Sequence, residues 1–312
     1  MEPSVILMPN WIGDMLLALS VVLRMPENRL AATTLLVPEH MTGLVRLLCD
    51  LPQLTYARSS PDDRRRTLSG VRQGGFGTIY LLPYSFSSAW MAMRSGIPGR
   101  RGLSRDFRGF LLTDPLPGKL RDRMHHIVRE YAMILDLPYA SPASWNGIET
   151  ESDTAYAGAV VFCPGAKYGP SKKWGHFPEL ARLLGNEKIV VLGTTDDRDA
   201  AAEIVQNAGK RVTDLTGKTS LTAAASVMAG ASVVVSNDSG LMHLAGFLGV
   251  PVVGLFGSTS PVWTRPLGKR TAVLQSEEPC VPCFRRTCRY GHYRCLEGIT
   301  PVDVEREISL LA

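Results

Sequence analysis

Short apolar runs rich in β-branched residues recur along the chain at 4–8, 33–37, 78–82, 159–163, 188–192, 231–235 and 252–256, with helical stretches between them. A strand covered on both faces reads as such a run, so the alternation predicts parallel sheets flanked by helices. Between the third and fourth runs come a basic loop, a predicted helix at 123–137 and a stretch rich in Pro, Ser, Ala and Thr at 138–158. The domain boundary is placed in that stretch, giving domains 1–150 and 151–312. Each is then a doubly wound, Rossmann-like α/β unit, with ligands expected at the carboxyl ends of the strands, in a central cleft between the two halves. Residues 301–311 read as a last helix, capped by Thr300 with Pro301 at its first position, and able to pack back on the N-terminal domain. The architecture repeats; the sequence does not.

Composition agrees with this picture. A chain of 312 residues with 45% hydrophobic, 20% charged and 7% aromatic content can bury large cores and leaves no long polar tract. Lys and Arg exceed Asp and Glu by 34 to 29. The excess gathers in the first half, at Arg64, Arg65, Arg66, Arg72, Arg94, Arg100, Arg101, Arg105, Arg108, Lys119, Arg121 and Arg123, which is expected to attract anions. The opening residues lack the basic start and long apolar stretch of a secretory signal, and no run of about 18 apolar residues occurs. A cytoplasmic location is expected, with a basic face able to touch anionic lipid headgroups.

The chemistry lies at the ends of the apolar runs. After the first run, Pro9 to Gly13 lead into Asp14 and a helical stretch. Gly13 there permits a tight turn beside a ligand, and Asp14 fits two roles, a helix-start cap or a general base for a sugar hydroxyl. After the sixth run, Ser236, Asn237, Asp238, Ser239, Gly240 and His243 open another helix. The amides of Ser239 and Gly240 suit a diphosphate, with His243 one turn on; the bland alternative is a capped helix with a partly buried ring. After the fourth run, the loop PGAKYGPSKKW at 164–174 brings Lys172 and Lys173, as phosphate ligands or solvated charges. One of Asp196, Asp197 and Asp199 is a candidate for a ribose hydroxyl, the others being helix-start carboxylates. Neither loop has Walker A spacing, and no GxGxxG follows the first run, which removes the main support for nucleoside triphosphatase and dinucleotide redox chemistry.

Cys280, Cys283, Cys288 and Cys295 follow the pattern C-x2-C-x4-C-x6-C near His292. Four thiolates at that spacing are a candidate structural zinc or iron–sulfur site; free thiols, or disulfides in an oxidised sample, are the alternative. The interleaved Arg285, Arg286, Arg289 and Arg294 have the look of a nucleic-acid ribbon.

Taken together, the segment from Asn10 to Asp14, the 164–174 loop and SNDSGLMHLA at 236–245 resemble glycosyltransferase family 9. Within it the chain is most similar to the lipopolysaccharide heptosyltransferases of type II. LLPYSFSSAW at 81–90, GIPGRRG at 96–102 and GVPVVGLFGSTSP at 249–261 extend the resemblance over nearly the whole chain. The resemblance implies a GT-B fold and inverting transfer of L-glycero-D-manno-heptose from ADP-heptose to the lipid A-linked inner core. No cofactor and no nucleic acid is implied, and the enzyme would work at the inner membrane surface. It makes Asp14 the base and assigns Lys172, Asp238, Ser239, Gly240 and His243 to the diphosphate and donor sugar. Asp199 becomes the ribose contact, and Thr216, Gly217 and Lys218 the adenine side. Lys167 is placed among the donor-binding residues as well, although it departs from the pattern, standing where the related enzymes carry an acidic residue. Arg100, Arg101, Arg105 and Arg108, clustered in a predicted loop, become candidates for the acidic acceptor. A different sugar or acceptor within the family, or a non-catalytic nucleotide- or glycan-binding protein, are the competing readings.

Overall fold

The computed structural model describes residues 2–57, 60–118 and 123–311, so Lys119 and Arg121 of the basic half lie outside the described residues. The chain splits into two compact units, Met1–Ala140 and Ser141–Ala312.

In the first unit six parallel strands are ordered β3-β2-β1-β4-β5-β6. They are β1 (Ser4–Leu7), β2 (Thr33–Pro38), β3 (Gln53–Tyr56), β4 (Thr78–Leu81), β5 (Gly99–Leu103) and β6 (Asp114–Leu116). Val5 of the central strand faces Thr34 on one side and Ile79 on the other. Val5, Ile6 and Leu7 have no exposed surface, which is why their segment is apolar throughout rather than alternating. The helices are α1 (Ile12–Val22), α2 (Glu27–Leu30), α3 (Thr42–Leu48), α4 (Pro61–Gln73), α5 (Phe86–Ser95) and α6 (Val128–Ile134). On one face Val5, Leu7, Leu36, Ile79 and Leu81 meet Ala89 and Ala92 of α5. Ser60 starts α4 with a reciprocal capping box to Asp63, and Gly96 stops α5 in the left-handed region at φ 79°.

The second unit repeats the plan with the order β12-β11-β10-β7-β8-β9. Its strands are β7 (Val160–Cys163), β8 (Ile189–Val191), β9 (Val212–Asp214), β10 (Val233–Asn237), β11 (Val252–Phe256) and β12 (Thr271–Gln275). Its helices are α7 (Phe177–Leu183), α8 (Arg198–Ala208), α9 (Leu221–Ala229), α10 (Gly240–Leu248), α11 (Pro261–Thr264), α12 (Arg294–Glu297) and α13 (Pro301–Leu311). The core is built from Val160, Phe162, Val235, Val253 and Leu255, with Val304 and Ile308 of α13. The last helix thus buries its apolar face within its own unit, against α7, β11 and β12.

All seven predicted strands are present. The five others, β3, β5, β6, β9 and β12, lie at or next to a sheet edge, where half-buried positions accept polar residues and weaken the apolar signal. The helix expected at 123–137 is shorter, Val128–Ile134. Residues 141–150, read as part of the linker and assigned to the first half, belong to the second unit. There the Trp145 indole donates to the carbonyl of Phe247 at 2.7 Å, with ring centroids 4.9 Å apart, and the Gly268 amide donates to the carbonyl of Pro142 at 3.0 Å. A polar composition hides one anchoring indole.

Candidate active site

The strongest polar constellation of the second unit stands where β7, β10 and β11 end. Asn237 closes β10 and ties two loops together: its amide nitrogen donates to the Pro164 carbonyl at 2.6 Å, and its oxygen accepts the Trp174 amide at 3.1 Å. The following Asp238 is buried. Its Oδ2 accepts Lys172 Nζ at 2.5 Å and Thr259 Oγ1 at 2.6 Å, and its Oδ1 lies 4.0 Å from His243 Nε2. A buried carboxylate is tolerable only when paired and hydrogen-bonded in this way. Lys172 also stands 4.8 Å from the centroid of the Tyr168 ring. Ser239 is the N-cap residue of α10 but makes no side-chain cap bond, so the first-turn amides, beginning with Gly240, are not claimed by a capping side chain. An unclaimed helix start beside a held ammonium is a site for an anion such as a diphosphate.

His243 lies one turn into α10, and burial depresses its pKa to about 4, against the opposing pull of the Asp238 carboxylate. It is therefore neutral near pH 7, and its buried Nδ1 has no partner among the described residues. The ring is buried, and it stands beside the carboxylate that holds Lys172.

Beside this lies a second pair of loops. The Gly217 amide donates to the Gly193 carbonyl at 2.9 Å, joining the segments after β8 and β9. Gly217 has φ 68°, and a Cβ there would stand 2.7 Å from the Thr195 side chain. Thr216 is buried, donating twice to Asp214, and Lys218 Nζ donates to the Asp214 carbonyl at 2.7 Å. Among the three candidate acids, Asp197 closes its own turn by accepting Thr194 N at 2.9 Å and Oγ1 at 3.0 Å. Asp196 is exposed in the turn before α8, Asp199 is exposed at the second position of α8, and Lys167 is exposed after β7.

In the first unit, Asp14 is the third residue of α1 and half-buried; the N-cap position belongs to Trp11, so Asp14 is not the cap. Gly13 is the second helical residue rather than a turn glycine. Helix α1 packs on α6, and α6 brings Glu130 and Tyr131. The Tyr131 phenol is raised well above its ordinary range by burial and then by the Asp14 charge. Tyr84, whose ring centroid is 6.4 Å from that of Tyr131, is raised by burial and then by the Glu130 carboxylate. Glu130 pairs with Arg105 and accepts from or donates to His125 Nε2 at 3.1 Å, according to protonation, while the Arg105 guanidinium lies 4.7 Å above the Tyr84 ring. Arg105 Nε is buried without a partner among the described residues, so this cluster retains hydrogen-bonding capacity. Sequence reasoning passed over Tyr84, Glu130, Tyr131 and, in the other unit, Thr259, and it took Asn237 for a possible helix cap rather than the tie between two loops. Tyr84 and Thr259 lie inside LLPYSFSSAW and GVPVVGLFGSTSP, directly after β4 and β11, and that placement was the available signal.

The four arginines do not form a loop cluster. Arg100 and Arg101 sit in β5. Arg100 donates to the carbonyls of Leu111 and Ile97, each at 2.9 Å, and Arg101 to that of Ile134 at 2.8 Å while pairing with Asp114. Arg108 is fully buried and donates to the carbonyls of Leu103 at 2.8 Å and Pro83 at 2.6 Å; burial lowers it to about 10. Of the four, Arg105 stands in the cluster next to Asp14.

Among the described residues no three His, Cys, Asp or Glu side chains are grouped to hold a metal ion, so the candidate zinc or iron–sulfur site at Cys280, Cys283, Cys288 and Cys295 is not supported. All four are free thiols. Cys295 is raised to about 11 by burial and by the charges of the other three, whereas backbone amides, that of Tyr293 foremost, lower Cys288. Sequence spacing places thiols within reach of one another without fixing their directions. Among the described residues no helix is long and apolar enough to cross a membrane.

Residues 64–294 match glycosyltransferase family 9 (heptosyltransferase). The chain is 29% identical to lipopolysaccharide heptosyltransferase 2 of Escherichia coli, over 97% of this chain and 96% of that one. It is 30% identical to lipopolysaccharide heptosyltransferase 2 of Salmonella typhimurium with the same coverage. The solved structure of E. coli ADP-heptose lps heptosyltransferase II superposes with a TM-score of 0.81 at 26% identity, covering 99% of this chain and 98% of that one.

Proposed function

Because the chain belongs to glycosyltransferase family 9, with its two parallel-sheet units in the GT-B class, we propose that it transfers L-glycero-D-manno-heptose from ADP-heptose to the inner core of lipopolysaccharide. The observation that carries the reading is the Asp238-centred clamp, in which Lys172 is held 2.5 Å from a buried carboxylate at the start of α10. The C-terminal unit takes the donor. Lys172 and the first-turn amides at Ser239 and Gly240 meet the diphosphate, and the neutral His243 lines the same place. Asp199, exposed at the start of α8, takes the ribose, with Thr216, Gly217 and Lys218 on the adenine side.

The N-terminal unit takes the acceptor. Asp14 removes the proton of the acceptor hydroxyl, and the resulting oxygen attacks the anomeric carbon as the bond to the diphosphate breaks. Negative charge then grows on the departing ADP, where preorganised donors contribute most. Arg105, held by Glu130, meets an acidic group of the acceptor, and Tyr84 and Tyr131 shape the wall beside Asp14. The acceptor is carried on lipid A, so the enzyme works in the cytoplasm at the inner membrane surface.

The test is incubation with ADP-heptose and truncated lipopolysaccharide, followed by mass analysis for one added heptose. Other nucleotide sugars run in parallel decide the donor. Asp14→Asn is expected to bind donor like the wild type while turnover falls at least about a hundredfold; unchanged turnover removes Asp14 from the mechanism.

A further inference from the structure

The surface of the N-terminal unit carries a feature to which the transfer chemistry assigns no role. On α5, Ala89 and Ala92 face the core, and the spacing of four residues puts Phe86, Trp90 and Arg94 on one outward face. Phe86 is 43% and Trp90 46% exposed. Their rings stack on each other with centroids 6.4 Å apart, and Phe110 joins them at 6.2 Å from Phe86. Phe110 is 77% exposed, and Phe107 on the same loop is 93% exposed. Four large aromatics turned to water have no folding rationale.

The loop is built to present them. Asp106 and Phe107 both adopt left-handed backbone, at φ 50° and 56°, a conformation that non-glycine residues rarely take. The next residue, Arg108, is the buried guanidinium that grips the Pro83 carbonyl and, at 2.8 Å, Ser88 Oγ at the start of α5. Phe107 and Phe110 are thus held outward by a pinned loop.

Cations adjoin the aromatic group. Helix α4 packs along α5, and a surface hollow of about 350 Å³ is lined by Arg65, Arg72 and Arg94 together with Leu68, Ser69 and Gln73. The nearby carboxylates are partnered: Asp62 with Arg65 at 3.3 Å, and Asp63 with Arg66. Asp106, beside Phe107, faces the Arg108 charge. Projecting aromatics next to a hollow of three guanidiniums match the interfacial zone of a bilayer with anionic headgroups, where Trp and Phe settle at headgroup depth and Arg meets phosphate.

We propose that Phe86, Trp90, Phe107 and Phe110, with Arg65, Arg72 and Arg94, form the surface by which this protein docks on an anionic phospholipid bilayer. The inference takes from the transferase reading only that the acceptor is lipid-linked. Docking there keeps the enzyme at the surface that carries its acceptor and adds no contact to the donor.

The full chain is sedimented with phosphatidylcholine vesicles, with and without phosphatidylglycerol. Wild type is expected to partition to the anionic vesicles. Phe107→Ser combined with Phe110→Ser should lower that partition at least about tenfold, and Arg72→Gln or Arg94→Gln about fivefold each, with the arginine effect fading in high salt. Both sets should keep the wild-type unfolding midpoint and the wild-type transfer rate on a detergent-dispersed acceptor. Wild type that stays in the supernatant, or variants that partition like wild type, would overturn the proposal. So would variants whose only change is loss of self-association without lipid. If no heptose is transferred under any condition while partition still follows the variants, the transferase reading falls and the docking surface stands.

Discussion

His243 lies against two charges of opposite sign, and burial, with the Lys172 ammonium acting in the same direction, outweighs the Asp238 carboxylate. Its pKa is depressed to about 4 although Asp238 pulls it up. In the unfolded chain the ring titrates at its ordinary value of about 6.5, so between these two values the unfolded state binds the proton and the folded state does not. The contribution is therefore complete above about pH 6.5 and is lost as pH falls towards 4, amounting to about 3 kcal/mol. Denaturant unfolding at pH 7 and pH 4.5 should show His243→Gln losing less stability on acidification than the wild type. Equal losses would mean that the ring is not held neutral. Spacing placed His243 one turn after Ser239 and left open whether it faced a ligand or the core. What decided its charge was the burial of α10 against its sheet, which overrides the contact with Asp238 and which no local pattern states.

At the level of elements, strands buried on both faces were legible because every position in them is apolar, as in Val5 to Leu7 and Val233 to Val235. Strand β5 was not: its sequence GRRGL puts two arginines where half-burial lets their stems lie along the sheet and their heads reach carbonyls of neighbouring segments. The basic cluster therefore read as an anion-binding loop, and three of its four guanidiniums turned out to bind their own unit together. Arg108 shows the consequence most directly, since it joins the loop at 104–111 to the start of α5. Arg108→Met should destabilise the protein by about 2–4 kcal/mol, because the carbonyls of Leu103 and Pro83 and the Ser88 hydroxyl lose their donor. Chemical denaturation measures it, and a change under about 0.5 kcal/mol, the range of an ordinary surface substitution, would refute the pinning role. The candidate site was legible where it sits on strand-to-helix turns, as at Asp14, Lys172 and Asp238. Tyr131 and Glu130 escaped notice because they come from the middle of a short helix, whose packing on α1 brings them near Asp14.

For the whole molecule, each unit has its own sheet and core, so a ligand of one should protect that one. Saturating ADP, at about a hundred times its dissociation constant, should slow by about a hundredfold those amides that exchange only by opening of the C-terminal unit. Amides of β1, β2 and β4 should exchange as before. Hydrogen exchange followed by mass spectrometry reads both, and protection confined to the N-terminal strands would sink the assignment of the donor to the second unit. The sequence by itself determined the class of fold, the doubled plan and the turns that carry the chemistry, because strand burial, helix starts and glycine-rich loops are written in residues a few positions apart. Only the tertiary structure decided that Asp238 holds both Lys172 and Thr259, that most of the arginine cluster is spent on carbonyls of its own unit, that the cysteines hold no ligand geometry, and that four aromatics stand in water. Those outcomes depend on which surfaces of distant segments are pressed together, and on the cost of leaving a charge or a ring on the wrong side of that contact.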